Sequence, residues 1–216
     1  MSIQALRTAA WALIAGALVQ AVGGVVGQVV LASTDVSDEL FRYPWTSDAF
    51  VVTSVVWAVA FGFAVAGLAG LRASGVAGPT RAARNGLTAA LVGTALFVVA
   101  ELASIPVREQ QASDGGAGLV GALFGLATVL TGAGLTVAGV AAVRARRWEG
   151  WRRFTPLAYG VWMLVMLGVV WTKAGPSGIA VFGILQLALG VALLTRPTPL
   201  ASAPTGARPA PSIALR

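Results

Sequence analysis

The chain contains no cysteine and no histidine. Disulfides, thiolate nucleophiles, Ser-His triads, haem ligation through His or Cys and the usual zinc and copper sites are therefore excluded, and neither a metal nor a cofactor is expected. Charge is also scarce, at 11% of 216 residues, whereas 57% are hydrophobic. A soluble domain of this length has about a quarter of its residues charged and could not hide so much apolar surface. Any chemistry must come from carboxylates, hydroxyls, amides, aromatic rings, arginine or the lone Lys173.

The charges fall in short stretches between apolar runs of about 20 residues, the length that crosses a bilayer core of ~30 Å. Six such runs are read, over residues 9–32, 49–71, 87–105, 118–143, 156–172 and 177–195, so the fold class expected is an all-α membrane protein, a six-helix transmembrane bundle. The first run is too long for a signal-peptide core. Helix 5 is the shortest. Residues 197–216 are too rich in proline for a helix and are expected to form a mobile tail.

On one side fall Arg7, Arg72, Arg81, Arg84, Arg144, Arg146, Arg147, Arg152, Arg153, Arg196, Arg208 and Arg216. The other holds Arg42, Arg108 and Lys173. Twelve against three places both termini in the cytoplasm. The net charge of +7 is thus a topology signal, and nucleic acid is not expected as a partner. The ends of helices 2 and 4 match at Val65–Ala73 and Val137–Ala145, as either a direct repeat of a helical hairpin or a likeness of composition. The sequence specifies no oligomeric state.

Glu101 lies fourteen residues into helix 3, or ~21 Å at 1.5 Å per residue. A carboxylate at that depth is costly against lipid and should face the bundle interior. Gly93, Thr94, Phe97 and Ser104 share its face. Helix 1 carries a matching stripe of Gln20, Gly23, Gly24, Gly27 and Gln28. Helix 2 carries Phe50, Ser54, Trp57 and Phe61, helix 5 carries Tyr159, Trp162, Met166, Val170 and Lys173, and helix 6 carries Phe182 and Gln186. Converging, these faces would line an outward-leaning cavity with one acid, three amides and several rings. Alternatively, Glu101 is half of a structural ion pair with Lys173 or Arg108. Trp11, Trp45, Trp148, Trp151 and Trp171 are assigned to the interfacial belt, and Gly121 and Gly125 to helix packing. Before helix 2 comes a loop dense in charge and rings, Asp38, Glu39, Arg42, Tyr43 and Trp45 among them, which is read as a lid or an interfacial anchor.

In this loop, in Gly67–Arg72 and in Ala100–Ser104, the chain resembles a group of small uncharacterised actinobacterial polytopic membrane proteins, a likeness that implies the topology and carries no activity. Integral membrane terpene cyclases are similar in chemistry alone, being small polytopic proteins that use buried carboxylates and rings without a metal cluster; no motif is shared.

Glu101 as general acid, with Trp57, Phe61, Phe97, Tyr159 and Trp162 offering π faces to a carbocation, would make the chain a metal-independent cyclase of a membrane-dissolved isoprenoid. Gln20 and Gln186 complete that ligand-binding set. The alternatives are a non-enzymatic binding or transport protein for a cationic or lipid-like ligand, and a membrane scaffold or regulator acting through the basic Arg144–Arg153 segment. In each case the partner is a lipophilic small molecule or a lipid.

Overall fold

The computed structural model describes residues 2–195, and within them it is all-helical. Residues 196–216, which include Arg196, Arg208, Arg216 and the expected tail 197–216, lie outside the described residues. Six helices follow in order: α1 (Ile3–Ser33), α2 (Ser47–Ser74), α3 (Arg81–Ser104), α4 (Gly115–Ala145), α5 (Thr155–Val169) and α6 (Gly175–Leu194). Most outrun their apolar segments, because hydropathy marks the lipid-matched stretch whereas polar caps mark the helix ends. Ser2 and Thr80 accept from the main-chain N–H groups of Ala5 and Ala83, and Gly75 ends α2 in the left-handed conformation.

Each helix packs on its neighbours in sequence, and α6 returns to α1, closing a ring. The bundle is built inside out relative to a soluble one. Its seams are alanine and glycine, while valine and leucine from all six helices face outward, among them Val22, Val59, Val99, Leu119, Val165 and Ile184. Small residues let backbones approach, which is how helices associate where lipid removes the hydrophobic driving force. A Cβ placed on Gly134 would stand 2.5 Å from the Gly86 carbonyl oxygen of α3, and one on Gly24 would stand 2.7 Å from the Pro176 carbonyl of α6.

Five helices, α1 to α4 and α6, are long and apolar enough to cross a membrane. The fifth run ends earlier than expected. After Val169 the chain leaves the helix, with the Thr172 hydroxyl donating back to the Val169 carbonyl, so α5 has 15 residues, about 22 Å. It packs near its start at Leu157 against Gly139 of α4 and near its end at Met166 against Gly178 of α6.

The two ends of the ring differ in charge. One gathers the loops 34–46, 105–114 and 170–174 and the first turn of α2 with Asp48, six acidic residues and three basic ones in all. The other gathers the chain start, the loops 75–80 and 146–154 and the helix turns that flank them, with nine basic residues and one acidic, Glu149. These are called the acidic and the basic end below.

Three expectations need correction. Gly121 and Gly125 are not packing residues, since a Cβ on either meets no atom within 4 Å. Trp148 is 2% exposed and belongs to the core, unlike Trp11, Trp151 and Trp171, which are exposed. The helix 5 line leaves the bundle at its far end, where Val170 and Lys173 are exposed.

Candidate functional site: a buried carboxyl in the seam between α2 and α3

Glu101 is buried, 7% exposed, on the face of α3 that also buries Gly93, Thr94, Phe97 and Ser104. Among the described residues no other charged side chain is buried. The register between α2 and α3 places its surroundings. Towards the acidic end, Arg108 Nε donates to Ser47 Oγ at 2.9 Å. One step inward, Ser54 Oγ and Ser104 Oγ are 3.2 Å apart. The Ser104 hydroxyl gives its proton to the Glu101 carbonyl at 2.6 Å, so Ser54 is the donor of that pair. Further in, Phe61 and Phe97 stack at 4.6 Å with planes 8° apart. Ser54 and Phe61 are seven residues apart on α2, as are Phe97 and Ser104 on antiparallel α3. That register sets Glu101 level with Trp57 and Ala58; Trp57 packs over Gly23 of α1, so the small, buried Ala58 is the one on the side of Ser54 and Phe61.

The carboxyl has a polar pair above it and an aromatic floor below. Its expected ion pair is not formed. Among the described residues, the salt bridges are those of Glu109 with Arg42 at 3.1 Å and with Arg108 at 3.8 Å. Arg108 is committed to Ser47, Glu109 and the Ile105 carbonyl, and Lys173 faces outward.

The aromatic floor extends through the bundle. Phe97 also meets Phe124 of α4 at 6.2 Å, Phe61 meets Phe182 of α6 at 6.2 Å, and Phe182 meets Tyr159 of α5 at 5.2 Å. Five helices thus give one ring each to a continuous layer. Phe124 had no place in the sequence reading, although it sits one turn from both Val120 and Thr128 on a face with buried Ala127 and Thr131. The sixth helix contributes Gln20. It is fully buried, and neither its Oε1 nor its Nε2 has a hydrogen-bond partner. It lies between Gly16 and Gly23, which close on Ala60 and Trp57 of α2, so it stands against the α2 stretch that carries Ala58 and Phe61.

Other candidates have structural partners. Tyr159 Oη donates to Gln186 Oε1 at 2.9 Å, and Gln186 Nε2 donates to the Leu13 carbonyl at 3.3 Å, a buried chain that ties α5, α6 and α1. Trp162 Nε1 donates to the Gly178 carbonyl at 2.9 Å. Trp57 is half-buried over Gly23. Thr94 and Thr131 pair at 3.4 Å on the basic side of Phe97.

The lid candidates form a strap over the acidic end of this seam. The loop pairs antiparallel with the segment after α3: Leu40 bridges Gln111, the Phe41 and Arg42 N–H groups donate to the Gln110 and Arg108 carbonyls, and the Ala112 N–H donates to the Glu39 carbonyl. Arg42 clamps Glu109 and also donates to the Trp45 carbonyl at 2.9 Å. The Ser47 hydroxyl and the Arg42 guanidinium beside it hold the Glu109 carboxyl below the usual carboxylate range. Phe41 packs edge-on to Phe50 of α2, Tyr43 is half-buried, and Asp38 and Glu39 face solvent. An open hollow of about 710 Å³ lies beside the strap, lined by Arg42 and Trp45 among others; Glu101 does not reach it.

No protein-family model, curated protein or solved structure matches the chain. The function rests on this geometry.

Proposed function

We propose that the protein is a six-span membrane protein of the bacterial inner membrane, with its basic end in the cytoplasm, that binds or transports a lipophilic cation in exchange for a proton on Glu101. Nine basic residues against three, among those described, favour this orientation, and α5, which packs on both α4 and α6, is read as the sixth span. One observation carries the functional reading: the carboxyl of Glu101 is buried without a counter-ion, at the inner end of a polar seam that leads to the acidic end of the bundle. A carboxyl with no counter-ion beside it is a place where a cation can take over from a proton, which couples cation binding to proton loss. The ring layer below gives an organic cation an apolar, aromatic floor. Gln20, which has no partner of its own, supplies a free amide at the same level.

The test is binding of tetraphenylphosphonium to the purified protein. Glu101→Gln, which keeps size and removes the charge, should weaken binding by tenfold or more, and Gln20→Leu should weaken it less. Unchanged affinity in Glu101→Gln would end this reading.

A second reading draws on the same rings. The five-helix aromatic layer beside one buried acid favours an acid-initiated cyclisation of an isoprenoid, with Glu101 as the proton donor. It ranks second because Phe61 and Phe97 cover each other's faces, so substrate would have to part the stack. Product formed from an isoprenoid epoxide by the wild type and abolished in Glu101→Gln would promote it.

A further inference from the structure

The α3–α4 seam, closed tightly at Gly86, Ala90 and Gly134, opens at the basic end into a cleft of about 510 Å³. The opening has a local cause. Arg147 Nη1 donates to the Gly75 carbonyl at 2.9 Å, and Gly78, at φ +83°, packs against Ala145, so the loops 75–80 and 146–154 are drawn together beside the seam. The lower wall is apolar, formed by Val140, Ala141 and Ala82, and its floor includes Thr136, whose hydroxyl has no hydrogen-bond partner. The mouth is polar and cationic. Arg144 stands on one side, and on the other Thr80 caps the first turn of α3, where the Arg81 and Ala82 N–H groups have no acceptor within the helix.

We infer that this cleft binds one anionic phospholipid of the adjacent leaflet, the phosphate held between Arg144 and the start of α3 and an acyl chain laid along Val140 and Ala141. Charge complementarity selects the occupant: the end of the bundle that holds the cleft has nine basic residues to one acidic, and a phosphodiester is the anion that the leaflet presents at this depth. The apolar wall selects a lipid over free phosphate, which would leave it bare. The site is separate from Glu101, which belongs to the acidic half of the bundle.

The experiment uses the full chain in maltoside detergent with dioleoylphosphatidylglycerol, dioleoylphosphatidylcholine and inorganic phosphate as probes, read by native mass spectrometry and by the thermal unfolding midpoint. One phosphatidylglycerol should be retained per chain and should raise the midpoint, with no effect of phosphate at the same concentration. Arg144→Gln should weaken retention about tenfold. Arg152→Gln, at the same end but off the cleft, should not. Val140→Phe keeps every charge and fills the cleft, so it should also lose the lipid, and it decides the matter if Arg144→Gln does not fold. Equal protection by phosphate or phosphatidylcholine, equal loss in Arg152→Gln, or full retention in Val140→Phe would overturn the inference.

Discussion

Adding one methyl group to Gly134 tests the packing logic that positions the site. In Gly134→Ala the new Cβ would stand 2.5 Å from the Gly86 oxygen and 2.6 Å from the Ala90 nitrogen, where ordinary contact begins at 3.4 Å. Both neighbours are main-chain atoms and cannot rotate away, so α3 and α4 must part by roughly 0.9 Å at this level. Overpacking of this kind costs about 1–3 kcal/mol. It would also stretch the Thr94–Thr131 pair, already at 3.4 Å, one turn away. The same methyl on Gly62 or Gly121 meets nothing within 4 Å and gains about 0.5–1 kcal/mol of helix propensity. The three variants should therefore differ in sign, with a gap of about 2–4 kcal/mol. Unfolding in mixed micelles with increasing dodecyl sulfate, followed by tryptophan fluorescence, measures the gap. If Gly134→Ala proves as stable as Gly62→Ala, the α3–α4 contact is not as described and the register that brings Phe124 of α4 to Phe97 loses its support.

Two further outcomes are expected. Single cysteines introduced into the naturally cysteine-free chain at Ser37 and Ser113 should react with a membrane-impermeant maleimide from outside intact cells, and cysteines at Ala73 and Ala145 should not; one clear reversal breaks the six-span topology. The strap should loosen in acid. The Glu109 carboxyl is held below its usual value in the folded state, so its contribution is present above the unfolded value near 4.5 and is lost as pH falls through the lower folded one. Hydrogen exchange at the Phe41 and Ala112 amides should therefore accelerate below about pH 4 in the wild type, and already at pH 7 in Glu109→Gln. Equal exchange in both at neutral pH would mean that the ion pair does not hold the strap.

The helices were legible because each carries a long apolar run set off by charged loops, and the face of α3 that carries Glu101 was legible because a buried charge must turn inward. Which glycines pack was not legible. Gly24 and Gly121 look alike in sequence, and only the neighbour that arrives from a distant part of the chain distinguishes them. Trp148 was misread for the same reason: a tryptophan at a helix end reads as a belt residue until a loop folds over it. The strap depends on pairings such as Arg42 with Glu109, 67 residues apart, for which local pattern holds no signal. Phe124 was hidden among glycines, although the layer it completes shows a role for each ring that periodicity alone does not give.

The central claim, that Glu101 trades a proton for a cation, is tested most directly by proton release. With tetraphenylphosphonium added to the protein in weakly buffered detergent near neutral pH, the wild type should release about one proton per cation bound, and Glu101→Gln should release none. Cation binding with no proton release, or equal release from the Glu101→Gln protein, would contradict the account.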